Sequence, residues 1–464
     1  MNASPPPAAA LKALLDTQRS AFLAAPAPGL ATRRADLSRL AKAVKGRADA
    51  LAAAAAEDFG RRAVEETKLL DLVPSLNTIT YLDRHLRRFM APERRSVHVA
   101  LWPGKARVHY QPKGVVGIIS PWNYPFQLAL APLATAIAAG NRVMLKPSEF
   151  TPACNAALRA LLEDIFRPDQ VAVVEGGAEV GADFAALPFD HLFFTGGTEV
   201  GRKVMQAAAA NLTPVTLELG GKSPAVLAPG ADLDQATGSI AYAKLVNGGQ
   251  TCIAPDYALV PRDQVDAFCA GMKTAAKALY PEGLADPNFT LPIHSRHADR
   301  LKALAEKAEG QGARRLPLLD GENAPAMLLD VTDEMEVMQE EIFGPHLPVI
   351  PYDSIEEAVA YINARPRPLA LYHFGPDDAA RETVLTRTTS GGVTVNDTLL
   401  HIAVDDMPFG GIGASGIGSY HGPEGFRAMS HAKSVFTQRN PNGAHLIRPP
   451  YGKWTTRIMK HFLG

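Results

Sequence analysis

At 464 residues, and at ~150 residues per domain, the chain has room for about three domains or two large ones, each with a sizeable core. Its 47 Lys+Arg against 48 Asp+Glu leave a formal charge of -1, so no global basic field draws it to nucleic acid or to an anionic bilayer. Three cysteines, Cys154, Cys252 and Cys269, form no CxxC pair, which argues against a disulfide framework or zinc ribbon and fits a reducing compartment.

The opening MNASPPPAAALKALL lacks a basic segment followed by a pure apolar core. The longest apolar run, 126–140, is too short for a bilayer and is broken by Pro132. The tail, MKHFLG, is also too short to span. These features predict a soluble cytoplasmic protein with no membrane anchor.

Residues 8–90 carry helical spacing, as in Leu11, Leu14 and Leu15 and again in Leu37, Leu40 and Val44. From Arg95 to Gln111 the pattern alternates (Val97, Val99, Leu101, then Ala106, Val108, Tyr110) around Pro103-Gly104. That predicts a hairpin open to a partner subunit.

Strand-then-helix units follow. GVVGII (114–119) precedes a helix over 127–139, and RVMLK (142–146) precedes one with Thr151 as N-cap and Pro152 first. VAVVE (171–175) leads to a helix over 179–186, HLFF (191–194) runs through Gly196-Gly197 into a helix over 199–211, and PVTLEL (214–219) closes the set. Short apolar runs joined by helices need crossovers, so a parallel sheet covered on both faces is expected. A second α/β region begins near Gly220, with a helix over 234–245, a strand over 257–260, a helix over 263–279 and apolar segments near 347 and 391. From about 405 the chain turns Gly-rich and then polar, with no long helix signal before the tail.

Three glycine signatures compete as nucleotide sites. GIGASG (411–416) follows MPFG rather than a strand and leads into further glycines rather than a helix. GGKS (220–223) lacks the first P-loop glycine, since Thr216 stands there, and Pro224 follows at once. GGTEVG (196–201) sits after a strand and opens a helix, where free N–H groups and the positive dipole end favour phosphate.

Cys154 and Cys269 fall on apolar helical faces and read as core. Cys252 lies in NGGQTCIAP (247–255), a polar segment between helix and strand that can expose a thiol beside backbone N–H groups. Such a thiol needs help to ionise, and no histidine is near in sequence. Glu218, in LELGGKSP, is either a partly desolvated general base or a strand-end carboxylate in water, and spacing does not choose between them.

ELGGK (218–222) followed by NGGQTC (247–252) resembles the aldehyde dehydrogenase superfamily. PWNYP (121–125), LKPSE (145–149), FTGGTEVGR (194–202), QEEIFGP (339–345) and MPFGGIGASGIGSYHG (407–422) resemble its further motifs, in its order. CIAPDY, RPRPLALY (365–372) and SYHGPEGF (419–426) are most similar to the class 3 branch, nearest to coniferyl aldehyde dehydrogenases.

The resemblance implies two doubly wound α/β domains, one Rossmann-like for the cofactor and one catalytic, plus a small β oligomerisation element. Their expected extents are 1–94 with 112–217, then 218–404, then 95–111 with 405–464. It implies Cys252 as nucleophile, Asn123 as oxyanion donor with the Cys252 N–H, and Glu218 as the base that activates water. Gly196 and Gly201, with Gly197 and Trp122, would line the cofactor site; Lys146 and Glu149 would bond the adenosine ribose; Glu341 and Phe343 would position the nicotinamide ribose.

NAD is expected first, because a carboxylate at 149 repels a 2′-phosphate, although Lys146 softens that repulsion enough to admit NADP. The implied partners are an aldehyde, such as coniferyl or a medium-chain aldehyde, and a second copy of the chain as a homodimer. No metal is implied. The rival functions are an acylating dehydrogenase that passes the acyl group to coenzyme A, a P-loop nucleotide hydrolase using GGKS, and a non-catalytic binding protein.

Overall fold

The computed structural model describes residues 6–98, 101–443 and 448–464. The helical opening is present as Ala8–Ala24, Leu30–Gly46, Ala48–Phe59 and Val73–Met90, with a short helical link over 64–72. Leu37, Leu40 and Val44 are fully buried, so the apolar stripe of the second helix does face the core.

A six-stranded sheet runs in the order Gly416–Ile417, Val215–Leu219, His191–Gly196, Val115–Ile119, Arg142–Lys146, Val171–Val173. All neighbours are parallel except Gly416–Ile417, which pairs antiparallel with Val215–Leu219. Each of the five strands expected from the short apolar runs is present. The helix Pro152–Ile165 starts where Pro152 predicted it, with Thr151 at the N-cap position. The Thr151 side chain makes no cap, however; the Asp58 carboxylate accepts the N–H groups of Ala153 and Cys154 at 3.0 and 2.8 Å instead. A charged acceptor from a neighbouring helix has displaced the local hydroxyl.

A seven-stranded sheet follows in the order Arg314–Pro317, Ala326–Leu329, His346–Tyr352, Tyr257–Pro261, Pro224–Leu227, Ala370–Phe374, Gly392–Val395. It is parallel apart from its first pair. Helices Leu233–Leu245 and Val265–Leu279 pack beside it, Phe268 and Cys269 buried on the latter. Cys154 is buried too.

The third sheet corrects the hairpin. Its first arm is Glu93–Arg95 rather than the stretch through Val97, paired with Lys105–Pro112; Val99 lies outside the described residues. The main partner of Lys105–Pro112 is Ser430–Thr437, antiparallel over eight residues. That strand reads as polar sequence because one residue of the eight is buried, Ser430. Among the described residues no helix is long and apolar enough to cross a membrane.

Candidate active site

In a parallel sheet, ligands gather beyond the carboxyl ends of the strands where the strand order reverses. Here the chain starts at Val115–Ile119, moves outward to Arg142–Lys146 and Val171–Val173, then returns to His191–Gly196 on the other side. The reversal therefore falls between Val115–Ile119 and His191–Gly196. Beyond the first strand come Trp122 and Asn123, beyond the second Gly196 and Gly197, and Lys146 ends a third.

Cys252 arrives from the side of the seven-stranded sheet. After helix Leu233–Leu245, three consecutive residues take left-handed backbone angles, Asn247 (φ 53°), Gly248 (φ 61°) and Gly249 (φ 74°). A Cβ on Gly249 would stand 2.4 Å from the Gly344 carbonyl carbon, so glycine is required both for the turn and for the close approach. The reversal docks 247–252 onto the 121–125 segment. Asn247 Nδ2 donates to the Asn123 carbonyl at 2.9 Å, Asn123 Nδ2 donates to the Gln250 carbonyl at 3.0 Å, and Arg62 also donates to the Asn123 carbonyl at 3.0 Å. Tyr124 and Thr251 hydroxyls lie 2.9 Å apart.

Cys252, Glu218, Asn123, Trp122, Glu341, Phe343, Gly196 and Gly197 all line one cavity of about 190 Å³. A second cavity, about 540 Å³, shares Trp122, Thr195, Gly196 and Gly197 with it and extends past Lys146, Glu149 and helix Thr198–Ala209. The two make a continuous cleft. Gly201 lines neither; it is buried within its helix, where a Cβ would meet Leu219 Cδ2 at 2.5 Å. Its lack of a side chain lets the helix pack closely on strand Val215–Leu219.

Cys252 is half-buried and packs against the main core. Burial pushes its thiol up to about 12, the charges of Glu341 and Glu218 adding to the rise, while the N–H groups of Cys252 and Ile253 oppose it. The loop thus exposes the thiol only in part, packed on one side and facing the cavity on the other. Glu218 resolves the ambiguity left by spacing. It is 3% exposed, neither carboxylate oxygen takes a hydrogen bond from the described residues, and burial raises its pKa well above the carboxylate range.

The glycine-rich segment explains that burial. Gly416 pairs with Glu218 across the sheet edge, and a Cβ on Gly410 would approach Glu218 Oε1 to 3.0 Å. GIGASG is thus a close-packed cover over the carboxylate rather than a nucleotide loop. GGKS is not a P-loop either, since strand Pro224–Leu227 follows it where a helix is needed.

Lys222 has a different employment, which spacing did not reveal. Its Nζ pairs with the Asp256 carboxylate and donates to the carbonyls of Val337 and Glu340 at 2.8 and 3.0 Å. Asp256 in turn accepts the Ile342 N–H at 3.0 Å, and Arg300 donates to the carbonyls of Ile342 and Glu341 at 2.8 and 2.7 Å. These bonds clamp the loop that carries Glu341 and Phe343. Burial raises Glu341 to about 8, with Asp256 adding and Gly221 N–H, Lys222 and Lys244 opposing. Phe343 sits edge-on to Trp122, ring centroids 5.4 Å apart, with φ at 50°. The only forward signal for Asp256 was its place in CIAPDY.

Comparison with known proteins agrees with this geometry. The pattern of the Aldehyde dehydrogenase family matches residues 7–435. A probable coniferyl aldehyde dehydrogenase of Pseudomonas aeruginosa is 50% identical over 97% of this chain and 95% of its own. The coniferyl aldehyde dehydrogenase of a Pseudomonas strain is 43% identical over 98% and 96%. Among solved structures, substrate-bound Staphylococcus aureus AldH superimposes with a TM-score of 0.92 at 34% identity, covering 100% of both chains. A Mycobacterium tuberculosis aldehyde dehydrogenase complexed with NAD+ gives 0.84 at 30% identity, covering 93% and 91%. A family match over most of the chain, with relatives this similar end to end, settles the membership: the chain belongs to the aldehyde dehydrogenase family.

Proposed function

We propose that the chain oxidises an aromatic aldehyde of the coniferyl type to the free carboxylic acid with NAD, through a covalent adduct on Cys252. The observation that carries the reading is the meeting of Cys252, Asn123 and Glu218 on one cavity that opens into a nucleotide-sized cleft.

The cleft suits a dinucleotide. Helix Thr198–Ala209 begins at Gly197 with no side-chain cap, leaving its first N–H groups free for phosphate oxygens. Lys146 and Glu149 stand 3.2 Å apart beside it. A carboxylate there favours ribose hydroxyls over a 2′-phosphate, and its pairing with Lys146 engages the cation that would welcome one. Glu341 and Phe343, held by the Lys222–Asp256 clamp, supply the far end.

In this reading the Cys252 sulfur adds to the aldehyde carbon, forming a thiohemiacetal, and its proton passes to the buried Glu218 carboxylate. The developing oxyanion takes hydrogen bonds from Asn123 Nδ2 and the Cys252 N–H, a contribution of about 3 kcal/mol for one such donor. NAD, when bound, supplies the acceptor for the hydride that leaves the adduct, so that a thioester remains on Cys252. Glu218, having released that first proton to solvent, then removes a proton from water as it attacks the thioester; the acid leaves and the Cys252 thiolate takes the proton back from Glu218. A buried general base is what hydrolysis needs and what transfer to coenzyme A does not.

The exposed strand Ser430–Thr437, with Phe436 48% exposed, supports a homodimer built on the third sheet. The test is to incubate purified protein with NAD and coniferyl aldehyde, benzaldehyde, hexanal and longer aldehydes. Free acid should form without coenzyme A, fastest from coniferyl aldehyde. Cys252→Ser should lose turnover and keep NAD binding; full activity in that variant, or an absolute need for coenzyme A, overturns the proposal.

A further inference from the structure

A separate cavity of about 380 Å³ lies where helix Leu30–Gly46 meets the start of strand Arg142–Lys146. Four guanidinium groups line it, Arg33, Arg39, Arg142 and Arg167, against two carboxylates, Asp36 and Asp169. The excess is two positive charges.

The outer arginines are matched: Arg39 pairs with Asp36, and Arg167 Nε lies 3.2 Å from Asp169. Of the inner two, Arg142 shares Asp169 at 4.0 Å, and Arg33 is unmatched among the described residues. Arg33 is 4% exposed and belongs to no ion pair among the described residues. Its Nε and Nη1 donate to the Pro28 and Ala138 carbonyls at 2.8 and 3.0 Å, while Nη2 has no protein acceptor among the described residues. Arg142 bonds the Ala21 carbonyl at 2.7 Å and the Asp169 carbonyl, with its nearest carboxylate oxygen at 4.0 Å. Burial brings Arg33 down only to about 10, so it remains a cation at neutral pH. Burying a cation without a counter-ion is costly, and the chemistry around Cys252 makes no use of this one.

We propose that this cavity binds a small phosphate monoester, its dianionic head between Arg33 and Arg142 and its organic body against Phe22 and Ile137. A doubly charged head cancels the excess, and guanidinium N–H groups match phosphate oxygens in geometry as well as charge. Phe22 and Ile137 supply the apolar wall. The site is distinct from the cofactor cleft: Arg142 begins the strand and Lys146 ends it, four residues on, or about 13 Å. Binding joins the opening helices to the sheet, so it stabilises the chain.

The test is thermal unfolding and calorimetric titration with glycerol 3-phosphate, inorganic phosphate and benzoate, against sodium chloride at matched ionic strength. Saturating NAD is present throughout, to occupy any phosphate site in the cofactor cleft. Glycerol 3-phosphate should raise Tm saturably, by roughly 2 °C near ten times its Kd, with inorganic phosphate weaker and benzoate and chloride flat. Arg33→Met should abolish the shift. Because that buried substitution can compromise folding, Thr32→Glu, which places a carboxylate from an exposed position on the same cavity, is the second variant and should abolish it too. No phosphate-specific shift in the native chain, or the same shift in folded Thr32→Glu, overturns the proposal. Neither outcome depends on turnover, so the test stands apart from the aldehyde chemistry.

Discussion

Gly220→Ala isolates the placement of Glu341. Gly220 has no left-handed φ, so alanine adds volume without backbone strain. The volume falls on one neighbour: the new Cβ would stand 1.8 Å from Glu341 Oε2, 2.4 Å from Cδ and 2.5 Å from Oε1. Contacts below 3.0 Å do not persist, so the carboxylate must retreat by about 1.2 Å. It now accepts the Gly221 N–H, and losing one hydrogen bond to a neutral carboxyl costs about 0.5–1.5 kcal/mol. If Glu341 orients the nicotinamide ribose, that displacement lowers kcat/KM for NAD by roughly 10–100-fold. Initial rates followed by NADH absorbance at varied NAD measure it. In a Glu341→Ala background the added methyl has nothing to displace, so the second substitution should cost under about 0.5 kcal/mol. Native kinetics in Gly220→Ala, or fully additive losses in the double variant, would refute the role given to Glu341.

Three further outcomes follow from the same geometry. Glu218→Gln should release the first equivalent of NADH slowly and then stall, since both the acceptor of the Cys252 proton and the base for hydrolysis are gone; steady turnover at the native rate would count against the assignment. Asn123→Ala should lower kcat by ~10²-fold or more with little change in NAD affinity, checked by rates alongside calorimetry. Glu341→Gln should change stability in a pH-dependent way. The folded-state pKa is raised to about 8 from 4.5, so the protonated carboxyl's stabilisation is fully present below 4.5 and is lost as pH rises toward 8. The isosteric amide escapes that loss, so urea unfolding should find the variant more stable than the native chain at pH 8, by on the order of 4 kcal/mol. At pH 4.5 the two should match, and a pH-independent difference would sink the idea.

Sequence reading found five of the six strands of this sheet because buried parallel strands are short apolar runs set between helices, as RVMLK, HLFF and VTLEL are; it missed the two-residue antiparallel edge strand Gly416–Ile417. It missed Ser430–Thr437 because a strand on an exposed edge carries no such run; SHAKSVFT has one buried residue. The hairpin was placed two residues late because the alternation that includes Val97 mimics a strand, whereas pairing register is set by the partner: Arg95 meets Ala106 and Glu93 meets Val108. The packing use of Gly201 was out of reach of sequence for a related reason. A glycine in a βα turn serves either phosphate approach or helix packing, and only the position of Leu219 decides which.

Motif matching could name Cys252 and Glu218 but not their ionisation, which depends on what the fold lays over them. Burial takes the Cys252 thiol to about 12, where on the order of 1 in 10⁵ is thiolate at pH 7. A nucleophile of that kind has to be made at the moment of attack, by handing its proton to a neighbour. An exposed carboxylate would be a poor acceptor, because the gap between the two pKa values would make the transfer uphill by many units. The glycine cover over Glu218 raises its pKa as well, and so narrows the gap that burial of the thiol alone would open. Hydrolysis gains from the same shift, since a raised carboxylate is the stronger base toward water. Opening that cover, by a side chain at Gly410 beside Glu218 Oε1, should therefore slow both halves of the reaction even though neither catalytic residue has been touched.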